Sequence, residues 1–208
     1  MNYIVLIGGK GLSEQLLSWM RSDNIKFKLV DIYDDYIKNK DLKKIKLISK
    51  NRKLSFYLSI ADPQLRKRIY LYLKKNNKEL KFNNFIHSSS IINDKKNIIK
   101  NNEGTLVGPN CLVEQDVKIG KCNILNSYVS LFHKSEVGNF CTLAPYSCCL
   151  GESKIGDCVL FGAYSSINPR KKINKNVILG SHTNVVKNIS APGIYIGNPA
   201  HKLKNLFE

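Results

Sequence analysis

The sequence has no apolar run approaching the roughly 18 residues a membrane-spanning helix needs, and its opening segment, MNYIVLIGG, reaches two glycines after only a short apolar stretch. A chain without membrane span or secretory leader, at work in the cytoplasm, is the expectation. No C-x-x-C pair occurs among the six cysteines, Cys111, Cys122, Cys141, Cys148, Cys149 and Cys158. That removes the usual signature of a zinc or redox site, and reduced thiols with no bound metal are expected. Acidic residues are scarce, 16 against 33 Lys and Arg, for a net charge of +17. No basic stripe interleaved with aromatics accompanies this excess, so nucleic acid is not the expected partner, and phosphate-bearing small ligands suit the charge better. With 43% hydrophobic and 24% charged residues in 208, the composition is that of a folded chain of one or two domains.

What the sequence does have is a period of six. From Val107 every sixth residue is apolar, through Val113, Ile119, Leu125, Leu131 and Val137 to Val185, and Gly108, Gly120, Gly138, Gly156, Gly162 and Gly180 each follow one of these positions. An α-helix cannot repeat in six. Short strands joined by tight turns can, three to a coil, and IGKCN, VGNFC, IGDCV and INKNV recur at the 18-residue spacing this requires. The expectation for residues 107–208 is a left-handed parallel β-helix of about five coils. Its corners are expected two residues after each apolar position, where Gly and Asn tolerate positive φ. Cys111, Cys141 and Cys149 fall on inward places as small core residues, while Leu131, Phe132 and Leu150 are read as outward apolar residues.

Residues 1–84 read differently. NYIVLI runs into a glycine turn, a helical spacing follows at Leu12, Leu16, Leu17 and Met20, and FKLVDIYDD and KLSFYLSIADP look like further strands before the helical QLRKRIYLYLKK. Strand, helix, strand order predicts a small parallel sheet of Rossmann-like type, with residues 85–106 as an irregular entry to the coils.

Gly8, Gly9, Lys10 and Gly11 form a turn whose backbone N–H groups and following helix suit an anion, and Asp31, Asp34 and Asp35 stand where a second-strand acid commonly meets a ribose. Of four histidines, His87 reads as structural, and His182 and His201 lie near the last coils. His133 stands near a corner of an otherwise apolar coil, where a general base could sit.

GGKG, then IADPQLRKRIY, FIHSSSII, HKSEVGNF and PGIYIGNPAHKLK, in this order and spacing, resemble the PglD/NeuD-type sugar O/N-acetyltransferases of the hexapeptide-repeat superfamily across nearly the whole chain. The resemblance implies a homotrimer that uses acetyl-CoA, with active sites between neighbouring β-helices. It implies His133 as catalytic base, and phosphate and nucleoside contacts at Gly8, Gly9, Lys10, Gly11, Asp31, Ile60 and Ala61. Acetyl-CoA is expected along the last coils, at Gly162, Gly180, His182, Lys187 and Gly197, with Lys202 and Lys204 as further phosphate candidates. The expected acceptor is a nucleotide-linked amino sugar, a UDP-4-amino sugar. O-acetylation of a sugar or sialic acid, and a silent nucleotide-sugar-binding trimer, are the alternatives. Two residues depart from the family pattern: Lys10 stands where a histidine is common, and Lys134 where an acid commonly follows the catalytic histidine. Shifting by 18 places Asp116 and Glu152 beside Lys134, and Gln115 and Gly151 beside His133, so Lys134 is expected to be held between two carboxylates and away from the imidazole.

Overall fold

The computed structural model describes residues 2–33, 39–48, 53–94 and 102–203. Strands β1 (Asn2–Ile7), β2 (Phe27–Tyr33) and β3 (Leu54–Leu58) form a parallel sheet in the order β2-β1-β3, with helices α1 (Lys10–Ser22), α2 (Asn39–Ile48) and α3 (Pro63–Asn76) between and after them. β1 is apolar at successive positions because both its faces are covered. Ile4 and Leu6 pack with Leu16, Trp19 and Met20 of α1, whereas Val5 and Ile7 face Tyr70 and Leu73 of α3. Asp62 caps α3, its carboxylate accepting from Leu65 N at 2.6 Å, with Pro63 at the first helical position.

The rest is a β-solenoid of triangular section with about six turns rather than five. Its ladder begins earlier than the repeat does, since Phe85–Ile86 already pairs with Leu106–Val107 and Ile91–Ile92 with Leu112–Val113. Inward residues such as Val107, Leu125, Leu143, Phe161 and Leu179 stack into one core. Cys111, Cys141 and Cys149 are buried there as expected, and burial pushes the Cys141 thiol up to about 12. Leu131, read as outward, is wholly buried, because it is the inward member of its two-residue strand; Phe132 and Leu150 are half-buried.

The three sides differ. A docking face, carrying Leu106, Ile124, Thr142, Leu160 and Ile178 outward, takes the N-terminal unit on its first coils. A serine face follows with Ser130, Cys148 and Ser166, and a lysine face with Lys118, Glu136, Lys154 and Lys172. On the last, Glu136 bonds Lys154 at 2.9 Å and Lys118 at 3.6 Å; the Lys154 bond is the main reason its carboxyl sits below the usual range.

The corners lie three residues after each apolar position, not two. Every sixth residue from Asn110 to His182 has φ between 53° and 63°, and most are neither Gly nor Asn. The strained conformation is held by neighbouring coils, as where Lys134 N donates to Gln115 O (3.2 Å) and Glu152 N to His133 O (3.0 Å). The glycines answer a different demand. A Cβ on Gly138 would lie 2.7 Å from the Gly156 carbonyl carbon and one on Gly156 2.8 Å from Lys175 N, so they sit where successive coils approach most closely.

The corner of Cys122, Phe140 and Cys158 is buried under α3. There Arg66 is fully buried, and its guanidinium donates to the carbonyls of Cys122 and Cys141 (each 2.9 Å) in the solenoid and of Ala61 (3.1 Å) and Ile60 in its own unit. Burial lowers its pKa to about 10, which leaves it charged at neutral pH. One side chain thus ties the end of β3 to two coils.

Candidate active site

β1 is the central strand, and the chain passes from it first to one side and then to the other, so the carboxyl ends of β1 and β3 flank a topological switch point, where open parallel sheets generally take a ligand in a crevice. Gly8 forms its floor. Its N–H donates to Tyr33 O (2.7 Å), and a Cβ there would lie 2.0 Å from Ser59 O, so only glycine fits. Ser13 Oγ donates to Gly8 O (3.2 Å) and bonds Ser59 Oγ (2.8 Å), which closes the floor. Gly9 is the N-cap of α1 without a side-chain cap, and the first turn carries no acid, so the helix presents its positive end to the crevice. Lys10 is exposed and pairs with Glu14 at 3.7 Å; Gly11 faces open space.

Asp31, on β2, binds Lys44 Nζ at 2.6 Å. Burial works against its charge, but bonds to Lys44, Tyr33 and Ile32 outweigh it and lower its pKa. The Ile60 side chain is buried in the core and its carbonyl is taken by Arg66, whereas Ala61 is exposed, with its carbonyl bonded to Thr142 Oγ1 at 2.7 Å. Asp34, Asp35 and Lys204 lie outside the described residues.

His133 lies elsewhere on the molecule, at the corner between the serine and lysine faces, with its side chain 55% exposed. Glu114, from the preceding coil, accepts from the His133 main-chain N–H (2.8 Å) and stands 3.3 Å from Nδ1. On the following coil Gly151 leaves room for the ring, since a Cβ there would lie 2.5 Å from Nε2. With Nδ1–H aimed at the carboxylate, Nε2 is the lone-pair nitrogen and the one free to take a proton.

The acid beside His133 thus comes from another coil and not from position 134. Same-register arithmetic missed it because Glu114 is 19 residues before His133, a diagonal neighbour, while Gln115 takes the level place. Lys134 is not held as expected: among the described residues no ion pair joins it to Asp116 or Glu152, and Glu152 instead faces Arg170 Nε at 3.4 Å.

The residues expected to hold acetyl-CoA lie on the last coils but have structural duties too. A Cβ on Gly162 would meet Ser181 N at 2.5 Å, and one on Gly180 would meet Ile196 Cγ2 at 2.9 Å. His182 stacks on Tyr164 with ring centroids 5.0 Å apart; Gly197 turns the chain at φ 90°, and Lys187 is exposed. His87, between Ser22 Oγ (3.1 Å) and Ser89 Oγ (2.9 Å), is a structural residue, and His201 bonds Pro199 O at 2.8 Å. Among the described residues no cluster of His, Cys, Asp and Glu could hold a metal, and no helix is long and apolar enough to cross a membrane.

No family model matches the sequence. Solved structures do resemble this fold over almost its full length. PerB from Caulobacter crescentus, determined in complex with CoA and GDP-perosamine, is 21% identical with a TM-score of 0.81, over 98% of each chain. WeeI from Acinetobacter baumannii is 20% identical at 0.74, over 97% of this chain and 100% of its own. The acetyltransferase domain of PglB from Neisseria gonorrhoeae is 16% identical at 0.76, over 98% and 100%. The fold of this chain, N-terminal unit and solenoid together, is thus shared with these proteins over nearly its full length.

Proposed function

We propose that this protein transfers the acetyl group of acetyl-CoA to the amine of a nucleotide-linked amino sugar. The observation that carries the reading is the histidine at a solenoid corner, with one ring nitrogen engaged by Glu114 and the other left free over Gly151. The neutral amine attacks the thioester carbonyl, Nε2 of His133 takes the proton the amine loses, and collapse of the tetrahedral adduct expels CoA as its thiolate, which the imidazolium protonates. The N-terminal unit, Rossmann-like in its βαβ order, holds the diphosphate at the Gly8–Gly11 turn and leaves the sugar free to reach a histidine.

Acetyl-CoA is assigned to the last coils, near Gly162, Gly180, His182, Lys187 and Gly197. The acceptor is assigned as a UDP-linked 4-amino sugar, and the assembly as a cytoplasmic homotrimer. Thiol release from acetyl-CoA, measured with UDP-, GDP- and dTDP-linked 4-amino sugars and with the free amino sugar, tests this reading. Turnover with one nucleotide form well above the free sugar supports it. Turnover of only hydroxyl acceptors would move the protein to O-acetylation, and no turnover with CoA release from any acceptor would refute it.

A further inference from the structure

Helix α3 has two faces built to the same spacing. Arg66, Tyr70 and Leu73, with half-buried Ile69, turn inward onto the sheet and the solenoid corner. A second stripe, Arg68, Leu71, Tyr72 and Lys75, repeats the i, i+3, i+4, i+7 pattern and is exposed along its whole length. Leu71 is 53% and Tyr72 43% exposed. Helix α2 packs beside α3 and carries Lys43 and Leu47 one turn apart, both exposed, Leu47 at 69%.

The charge around these apolar residues has one sign. From Pro63 to Lys81 the chain holds seven Lys and Arg against a single acid, Glu79. Arg66 is occupied by backbone carbonyls and Lys74 by Glu103 at 3.0 Å. Among the described residues no carboxylate lies within ion-pair distance of Lys67, Arg68, Lys75, Lys78 or Lys81. The lysine face of the solenoid is different, because there Glu136 stands between Lys118 and Lys154. A lone surface leucine or a solvated lysine needs no explanation. Here a leucine and a tyrosine lie inside a field of unpaired positive charge, on one face of one helix.

We propose that this face of α3, with the adjoining edge of α2, seats the protein on an anionic lipid bilayer. With the helix lying in the interface plane, Lys67, Arg68 and Lys75 reach lipid phosphates, while Leu71, Leu47 and the ring of Tyr72 enter the boundary between headgroups and acyl chains. Tyrosine suits that depth, since its ring is apolar and its hydroxyl stays wet. The two kinds of group discriminate between partners. A nucleic acid or other acidic polymer would satisfy the cations but offer nothing to two leucines, and a neutral apolar surface would leave the cations without counter-charge. No described helix is long and apolar enough to cross a membrane, so the contact is peripheral.

Cosedimentation of the full chain with lipid vesicles tests the proposal. At physiological ionic strength, phosphatidylcholine vesicles containing about one third phosphatidylglycerol should retain the protein, and pure phosphatidylcholine vesicles should not. Each basic residue at such a surface contributes about fivefold to binding, so Arg68→Gln combined with Lys75→Gln should weaken it about 25-fold. Leu71→Gln changes no charge and should weaken binding about fivefold whatever the salt concentration. Lys118→Gln combined with Lys172→Gln removes the same charge from the lysine face and is the control, expected within about twofold of wild type. All five positions are exposed, and glutamine keeps the helix propensity of α3. If an α3 variant loses its circular dichroism signal, Lys43→Gln and Leu47→Gln on α2 read the same surface.

Failure of wild type to bind the anionic vesicles overturns the proposal. Equal weakening by the lysine-face pair also overturns it, since net charge alone would then account for binding, and so does wild-type binding by Leu71→Gln. Retention by heparin or RNA without retention by vesicles overturns it in favour of an acidic polymer. None of these readings involves acetyl transfer, so this proposal and the proposed function fail separately.

Discussion

Glu114 and His133 stand on successive coils, and one carboxylate oxygen of the first accepts from both the main-chain N–H and the ring of the second. The acid fixes where the imidazole points as well as which nitrogen keeps its hydrogen. Glu114→Gln preserves the shape but weakens the charge-assisted bond. It should lower kcat about tenfold with the KM for acetyl-CoA unchanged, and Glu114→Asp should recover part of the loss. A Glu114→Gln enzyme with wild-type kcat would show that the acid does not position the base.

Gly151 is the other constraint on the ring. Gly151→Ala would set a methyl 2.5 Å from Nε2 and displace it, and because the His133 side chain is 55% exposed the ring can swing outward. Activity should fall by about 10²-fold, the cost of misplacing a reacting group by roughly 1 Å, while the melting temperature stays within a few degrees. A large loss of melting temperature would assign Gly151 to coil stacking instead.

Gly11→Asp separates binding from chemistry. Nothing lies within 4 Å of a Cβ at this position, and an acid in the first turn of α1 favours the helix. The variant should fold normally, bind CoA as before and raise the acceptor KM by repelling its diphosphate. An unchanged KM would remove the turn from the acceptor site.

Arg66→Met tests the joint between the two units. It leaves the carbonyls of Cys122 and Ile60 without their Arg66 donor and takes one of two donors from those of Cys141, which keeps Ile124 N, and Ala61, which keeps Thr142 Oγ1. A loss of about 3 kcal/mol is expected in chemical denaturation, since buried polar groups left unpaired cost about 1–3 kcal/mol each and partial relaxation offsets some of the sum. A loss below about 1 kcal/mol would mean the joint is held by apolar contacts alone.

The solenoid was legible in the sequence because its period is dictated by covalent geometry, with one inward residue per two-residue strand and three strands per coil. Its first coil was legible only as an irregular entry to the stack. Phe85–Ile86 and Ile91–Ile92 follow the same ladder, but the residues between Ile92 and Leu106 interrupt the count of six. The corners were displaced by one place because glycine was read as a marker of positive φ, whereas Gly138 and Gly156 answer close approach between coils and residues such as Phe140 and Tyr146 take the strained conformation. In the N-terminal unit the alternation of strand and helix gave β1, α1, β2, β3 and α3, while α2 went unread although Leu42, Ile45 and Ile48 fall at helical spacing, because lysines and the neighbouring DIYDDYIKNK run mask the stripe. His133 was legible through its corner position and the family resemblance. Glu114 was not, because a diagonal neighbour on another coil has no fixed sequence offset until the corner geometry is known.

The most direct test of the proposed chemistry is kcat for thiol release by His133→Ala, measured with saturating acetyl-CoA and a nucleotide-linked 4-amino sugar on protein shown to assemble and bind CoA as wild type does. A fall of about 10²–10⁴-fold, as loss of a general base produces, is the result expected of His133 as the proton acceptor. A kcat near that of wild type would contradict it.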